Sequence, residues 1–181
     1  AAQPIPLGSA SSFGVLAGSG ITIAGAVNSS TITGDIGTFP TTTITGLGNA
    51  VVIGINHAGD AITQAAKIDL ITAYNTAVAR APATVATELG STTRTAGTYN
   101  SAAGTFGITG ILTLDGGGDP NAVFVFQTAS TLITAGSSEV KLINGAQAGN
   151  VYWQVGSSAT IGSASIFKGN ILALTAITFG T

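Results

Sequence analysis

The sequence predicts a mainly β fold: a three-faced β-solenoid with one α-helix laid along a face. Three observations lead there. First, a triplet of short strand-like segments occurs twice between Asn121 and Thr178. Val123-Phe124-Val125-Phe126, Thr131-Leu132-Ile133 and Glu139-Val140-Lys141-Leu142 are followed by Val151-Tyr152-Trp153-Gln154-Val155, Thr160-Ile161 and Ile166-Phe167-Lys168. Val125 to Trp153 is 28 residues and Leu132 to Ile161 is 29, a period at which three strands make one solenoid turn. Second, Gly (26 residues) and Thr are abundant. Thr favours strands and Gly favours tight corners. Third, one stretch after Ile55 abandons the strand pattern and reads as helix.

Taken in order, residues 1–10 form an extended arm held by Pro4 and Pro6. Phe13-Gly14-Val15-Leu16-Ala17 and Ile21-Thr22-Ile23 are strands with Gly18 and Gly20 at the corner between them. Thr31-Ile32-Thr33-Gly34-Asp35-Ile36 reads as a third, its Thr and Ile alternating as in a strand with one face inward. Residues 38–46 are irregular or a short strand. A helix is expected over about 56–80: Asn56 suits its N-cap, Asp60 its first turn, Arg80 its last, and Pro82 stops it. Ile55, Ala58, Ile62, Ala65, Ala66 and Ala73 fall on one side, and small Ala side chains allow close approach to a sheet. Strands resume after Gly90-Ser91 with Thr98-Tyr99-Asn100, Thr105-Phe106-Gly107-Ile108 and Ile111-Leu112-Thr113-Leu114. Asp115-Gly116-Gly117-Gly118-Asp119-Pro120 is a loop, and the repeated triplets follow it.

The composition narrows the function. At 181 residues, a single domain over 1–181 is expected. Only 7% of residues are charged, the net charge is −2, and five Lys and Arg are spread thinly, which argues against nucleic acid. No apolar run approaches the ~18 residues of a spanning helix, so no membrane segment is expected. With no Cys, disulfides contribute nothing. Ala1-Ala2-Gln3-Pro4 fits the mature end left by a signal peptidase, and secretion is the expectation.

Few residues carry chemistry. His57, the one histidine, has no partner at a motif spacing and is read as structural. No zinc cluster, nucleophile elbow or phosphate loop is present, so no metal or cofactor is expected. Asp115 to Asp119 is one imperfect copy of a calcium-type repeat and is read as a Gly turn. The acids Asp35, Asp60, Asp69, Glu88, Asp115, Asp119 and Glu139 sit far apart, and no pair stands out as a glycosidase dyad. Asn28-Ser29-Ser30 is a formal glycosylation sequon. What remains is a row of small and hydroxyl side chains. With Ile23, Leu132, Ile161 and Ile177 inward, alternation turns Thr22, Thr131, Thr160 and Thr178 outward, with Ile133, Gly162 and Ala176 pointing the same way. Thr favours strands on its own account, and composition alone does not choose between that and a binding surface.

At this point the chain strongly resembles the microbial ice-binding (antifreeze) family, built on a β-solenoid with one flanking helix. The matching segments are LGSASSFGVLAGSGIT from Leu7, STITGDIG from Ser30, INHAGDA from Ile55, DPNAVFVFQ from Asp119, INGAQAGNVYWQVGSSATIG from Ile143 and FKGNILALTAIT from Phe167. They run in family order over nearly the whole chain. Gly149 stands where members often have Cys. Members also continue past the segment like Leu174–Phe179 into a Gly-Arg-Ala-Leu-Ala-like stretch and a final strand, and Thr181 stops short of it.

The resemblance implies a right-handed solenoid of triangular cross-section with the long helix packed along one face. It implies that one exposed face binds ice, giving thermal hysteresis and recrystallisation inhibition in a secreted, monomeric, non-enzymatic protein of cold adaptation. Its implied ice-binding residues are Thr22, Ala24, Thr105, Gly107, Thr131, Ile133, Thr160, Gly162, Ala176 and Thr178. The implied partner is an ice crystal surface, with no cofactor. Two other classes share the architecture. An adhesin or structural module would bind polysaccharide or protein through exposed aromatics, yet Trp153 lies in a strand read as core. A carbohydrate-active enzyme would need an acid pair.

Overall fold

A computed structural model describes residues 2–28 and 30–180. Ala1, Thr181 and the Ser29 of the sequon lie outside the described residues. Among those described, the fold is mainly β with one α-helix. Two turns of chain come first. β1 (Phe13–Ala17), β2 (Gly20–Ile23) and β3 (Ser30–Thr33) make one; β4 (Asp35–Thr38), β5 (Ile44–Thr45) and β6 (Ala50–Ile53) make the next. Helix α1 (Ala61–Val78) follows. After it come β7 (Ala83–Val85) and β8 (Thr92–Thr95). β9 (Gly97–Ser101), β10 (Phe106–Ile108) and β11 (Ile111–Asp115) form a full turn, as do β12 (Phe124–Thr128), β13 (Leu132–Thr134) and β14 (Glu139–Ile143). β15 (Val151–Val155), β16 (Ala159–Ile161), β17 (Asn170–Ala173) and β18 (Ala176–Phe179) complete the chain.

Among the described residues every strand pairing is parallel. Each turn therefore lays its strands on the equivalent strands of its neighbours. The largest sheet has six strands in the order β10-β13-β16-β18-β2-β5, and a five-stranded sheet runs β17-β15-β12-β9-β7. The remaining strands form β14-β11-β8, β1-β4 and β3-β6. Spatial order thus departs from chain order: the last strand, β18, sits between β16 and the N-terminal β2.

This order explains the helix. The N-terminal turns finish at one end of the stack, and the chain must restart at β7, at the other end. Eighteen residues of α-helix reach ~27 Å. Six stacked strands span ~24 Å between the outermost two. α1 carries the chain back along the stack over that distance.

The helix starts later than the sequence suggests. Asn56 is not its N-cap; Asp60 is, its Oδ1 accepting from the Thr63 N–H at 2.9 Å. Residues 57–59 still run alongside β4, through His57 N–H to Ile36 O and Gly59 N–H to Thr38 O, and Gly59 takes φ +75°, which a right-handed helix does not admit. The buried face keeps Ala66 and Ala73 of the expected set but is turned from the rest. It comprises Thr63, Ala66, Lys67, Leu70, Ala73 and Ala77, while Ile55, Ile62 and Ala65 are exposed. Spacings of three and four place Ala66, Leu70, Ala73 and Ala77 over Val123, Val125, Tyr152 and Leu172 of the sheet below. Gln127 from that sheet closes the far end, its Nε2 donating to Ala77 O at 2.6 Å and Arg80 O at 2.8 Å.

The interior is a ladder of aromatic rings. Tyr99, Phe126 and Trp153 are direct partners on β9, β12 and β15. Phe126 stacks on Trp153 with centroids 4.3 Å apart and on Tyr99 at 5.5 Å. Trp153 is fully buried and its Nε1 donates to Lys168 O. This ladder corrects the repeat. Val125 faces Tyr152 and Leu132 faces Ala159, an offset of 27 residues rather than 28 or 29. A one-residue slip would turn Trp153 out of the interior, and burying the ring enforces the register.

Other expectations shift by smaller amounts. The single strand expected over Thr31–Ile36 is two, because Gly34 takes φ +111° at a corner. The match of Ile166-Phe167-Lys168 to β14 is reduced to one bridge, Ile166 to Glu139. Strands β6, β7 and β8 have no counterpart among the segments expected from sequence.

Candidate binding face

The six-stranded sheet carries an outward row along its middle. Gly107, Ile133, Thr160, Thr178, Thr22 and Thr45 are direct Cα partners from strand to strand. Their chain neighbours Phe106, Ile108, Leu132, Ala159, Ile161, Ile177, Ile21 and Ile23 are buried. Alternation does the rest: the row is forced outward because its flanks fill the core. Four consecutive Thr residues, from β16, β18, β2 and β5, cross the place where the two ends of the chain meet.

A second row runs beside it at the strands' leading ends. Phe106 N–H bonds to Thr131 O, Leu132 N–H to Ser158 O and Ile21 N–H to Thr43 O. Ala176 is paired with Gly20. These bonds align Thr105, Thr131, Ser158, Ala176, Gly20 and Thr43. Thr43 is exposed, and Thr105, Thr131, Ser158, Ala176 and Gly20 are half-buried. Across the six strands, neither row carries a charged side chain. Ile133 is the bulky apolar member, 53% exposed amid small neighbours.

Of the sequence-derived residues, Thr22, Gly107, Ile133, Thr160 and Thr178 share the first row, and Thr105, Thr131 and Ala176 share the second. Ala24 follows β2 at the edge of the sheet, half-buried, its N–H bonded to Phe179 O at 2.7 Å. Gly162 does not lie on the face. It is buried, and a Cβ placed there would sit 2.6 Å from Gly136 N on the adjacent turn. The strand has ended at Ile161, so alternation no longer predicts direction. Thr45, Thr43, Gly20 and Ser158 are not among the sequence-derived residues. β5 has only two residues, too few to show a period, and Ser158 precedes its strand. Thr134 is a reminder that Thr alone marks nothing: it is buried, and its Oγ1 accepts from the Gly162 N–H.

The acids away from this face are engaged locally. His57 Nδ1 lies 2.8 Å from Asp60 Oδ2, and its Nε2 lies 3.7 Å from Asp35 Oδ2. The Thr63 N–H, and then His57, hold the Asp60 carboxyl below the usual range. Asp115 is lowered by the Gly117 N–H and by Asn144, at 2.8 and 2.9 Å, which ties the Gly loop together. Among the described residues, no group of three His, Asp or Glu side chains converges on a metal position, and no helix is long and apolar enough to cross a membrane.

The family model described as ice-binding-like matches residues 15–181. The chain belongs to this ice-binding family. An ice-binding protein of Nostoc sp. (strain HG1) is 46% identical over 177 residues, covering 97% of this chain and 64% of its own length. One from Flavobacterium frigoris (strain PS1) is 33% identical, covering 98% and 68%. Among solved structures, the ice-binding protein of the Antarctic ascomycete Antarctomyces psychrotrophicus superposes with a TM-score of 0.85 at 38% identity, covering 99% of this chain and 96% of that one. This chain therefore spans about two thirds of the Nostoc relative, and nearly all of the ascomycete structure.

Proposed function

We propose that this chain is a secreted, monomeric antifreeze module. In this reading residues 1–181 are one domain, a right-handed solenoid of triangular section, and its six-stranded sheet adsorbs to ice. The observation that carries it is the uncharged, in-register row Ile133–Thr160–Thr178–Thr22–Thr45. Side chains in such a row repeat at ~4.8 Å across strands and ~6.6 Å along them. Those repeats are near oxygen spacings in ice. A Thr methyl orders adjacent water, and its hydroxyl anchors it. Gly and Ala leave the surface low between anchors.

The partner is a crystal, so many weak contacts have to act together on a rigid surface. Rigidity comes from the parallel ladders and the aromatic stack beneath them. Adsorbed molecules force ice to grow between them as curved fronts, which depresses the local freezing point and stops large grains growing at the expense of small ones. No step needs catalysis, a cofactor, nucleic acid or a membrane. Kinship with proteins named as ice-binding supports this reading over an adhesin. The test is adsorption of fluorescently labelled protein to a single ice crystal, with hysteresis and recrystallisation measured alongside. Unshaped disc crystals and normal grain coarsening at high concentration would refute it.

A further inference from the structure

We propose that Glu88 sets one boundary of the ice-contacting face and keeps Gly107 out of it. This rests on the ice-binding reading of the six-stranded sheet. Glu88 occupies the next position in the outward row: it forms a parallel bridge pair with Gly107. Leu89 N–H bonds to Gly107 O at 2.8 Å, and Gly107 N–H bonds to Thr87 O at 2.9 Å, which fixes the alignment. Leu89 is fully buried, so Glu88 faces outward with the row, and it is exposed.

The side chain does not extend freely into solvent. Oε1 accepts from the Gly90 N–H at 2.6 Å and the Thr109 N–H at 2.8 Å, which folds the carboxylate back over β10. A Cβ built on Gly107 would lie 3.4 Å from Oε2. A carboxylate oxygen therefore stands within van der Waals distance of the outward side of Gly107. Glu88 is the charged member of a row that runs uncharged through Gly107, Ile133, Thr160, Thr178, Thr22 and Thr45.

An ionised carboxylate holds water in its own geometry, and stripping that water costs more than one weak contact returns. Ice docked on this sheet therefore meets the row from Ile133 to Thr45 and stops before Gly107. The local bonds of Glu88 give it a structural role as well, closing the turn at Gly90. The boundary is the part that its charge alone controls.

The experiment compares wild type with Glu88→Gln and Glu88→Thr. Gln keeps an acceptor oxygen for the Gly90 and Thr109 amides and removes the charge; Thr continues the hydroxyl row. Melting temperature checks folding, and the concentration giving half-maximal recrystallisation inhibition reads ice contact. In the folded variants that concentration falls about threefold, the scale of a partly relieved carboxylate desolvation at a contact. Unchanged activity in both folded variants overturns the boundary, and so does loss of folding in both, which would make Glu88 a folding residue only. A wild type with no ice activity is a separate result: it removes the ice-binding reading itself.

Discussion

Replacing Thr160 with Tyr tests the face at its middle. Thr160 pairs with Ile133 on one side and Thr178 on the other, so a ring there projects between β13 and β18. The stability cost is small. Thr160 is half-buried between its neighbours but its side chain points outward, where strand substitutions usually stay within about 0.5 kcal/mol, and Tyr is a favoured strand residue. For a chain of this size that is a shift of about 2 °C or less in melting temperature. The effect on ice is larger. A rigid sheet cannot bend around the ring, so β16 and its two neighbours lose contact, three of the five strands from β13 to β5 that meet ice. A micromolar binder holds about 8 kcal/mol, and each ~1.4 kcal/mol lost is tenfold in affinity. Losing more than half the contacts therefore removes at least tenfold of activity. Thr113→Tyr is the control, because Thr113 lies on β11 of the β14-β11-β8 sheet, paired with Thr93 and Lys141. The assay is thermal hysteresis at equal concentration, with circular dichroism melts of both variants. Full hysteresis in folded Thr160→Tyr would refute the placement of the face. Unfolding would mean that Thr160 is needed inside.

Three further outcomes are expected. Chelator leaves melting temperature and ice activity unchanged, and a drop in either would point to calcium at the Asp115–Asp119 loop. Stability is flat from about pH 5 to 8 and declines as pH falls below about 4 in acid titration followed by circular dichroism. Asp60, Asp69 and Asp115 have carboxyls lowered by the Thr63 N–H, the Ser9 hydroxyl and the Gly117 N–H respectively; such groups stabilise the fold above their unfolded pKa and lose that contribution as pH drops through the folded one. A stability still unchanged at pH 2 would contradict this. Trp153→Ala breaks the ring ladder and leaves Lys168 O without its donor, and costs about 3–5 kcal/mol in denaturant unfolding. A cost below about 1 kcal/mol would show that the ladder is not the core's main support.

Much of the face could be read from the chain because strands have a period of two. Ile21, Ile23, Leu132, Ile161 and Ile177 are apolar at the right intervals, and every one is buried. That alternation was enough to turn Thr22, Ile133, Thr160 and Thr178 outward. It failed where strands end or are very short. Gly162 lies one residue past β16 and turns into the neighbouring coil, and the two-residue β5 gave Thr45 no pattern to show. The helix was recognisable from its lack of corners, but not its phase. Asn56 and Asp60 are both good caps by type, and the run of residues 57–59 beside β4, with Gly59 at φ +75°, decides between them.

Local sequence therefore settles which side of each strand meets the core, since burial of an alternating pattern needs no knowledge of neighbours. It cannot say which strand lies beside which. Parallel backbone bonds look alike between any two turns, and residue type hardly biases them. Only the folded stack puts β18 against β2, joining Thr178 to Thr22 across more than 150 residues of chain. The same stacking, with α1 returning the chain over its length, makes one continuous row out of two separate pieces of sequence. It also brings Glu88 to the end of that row, a placement no interval in the sequence contains.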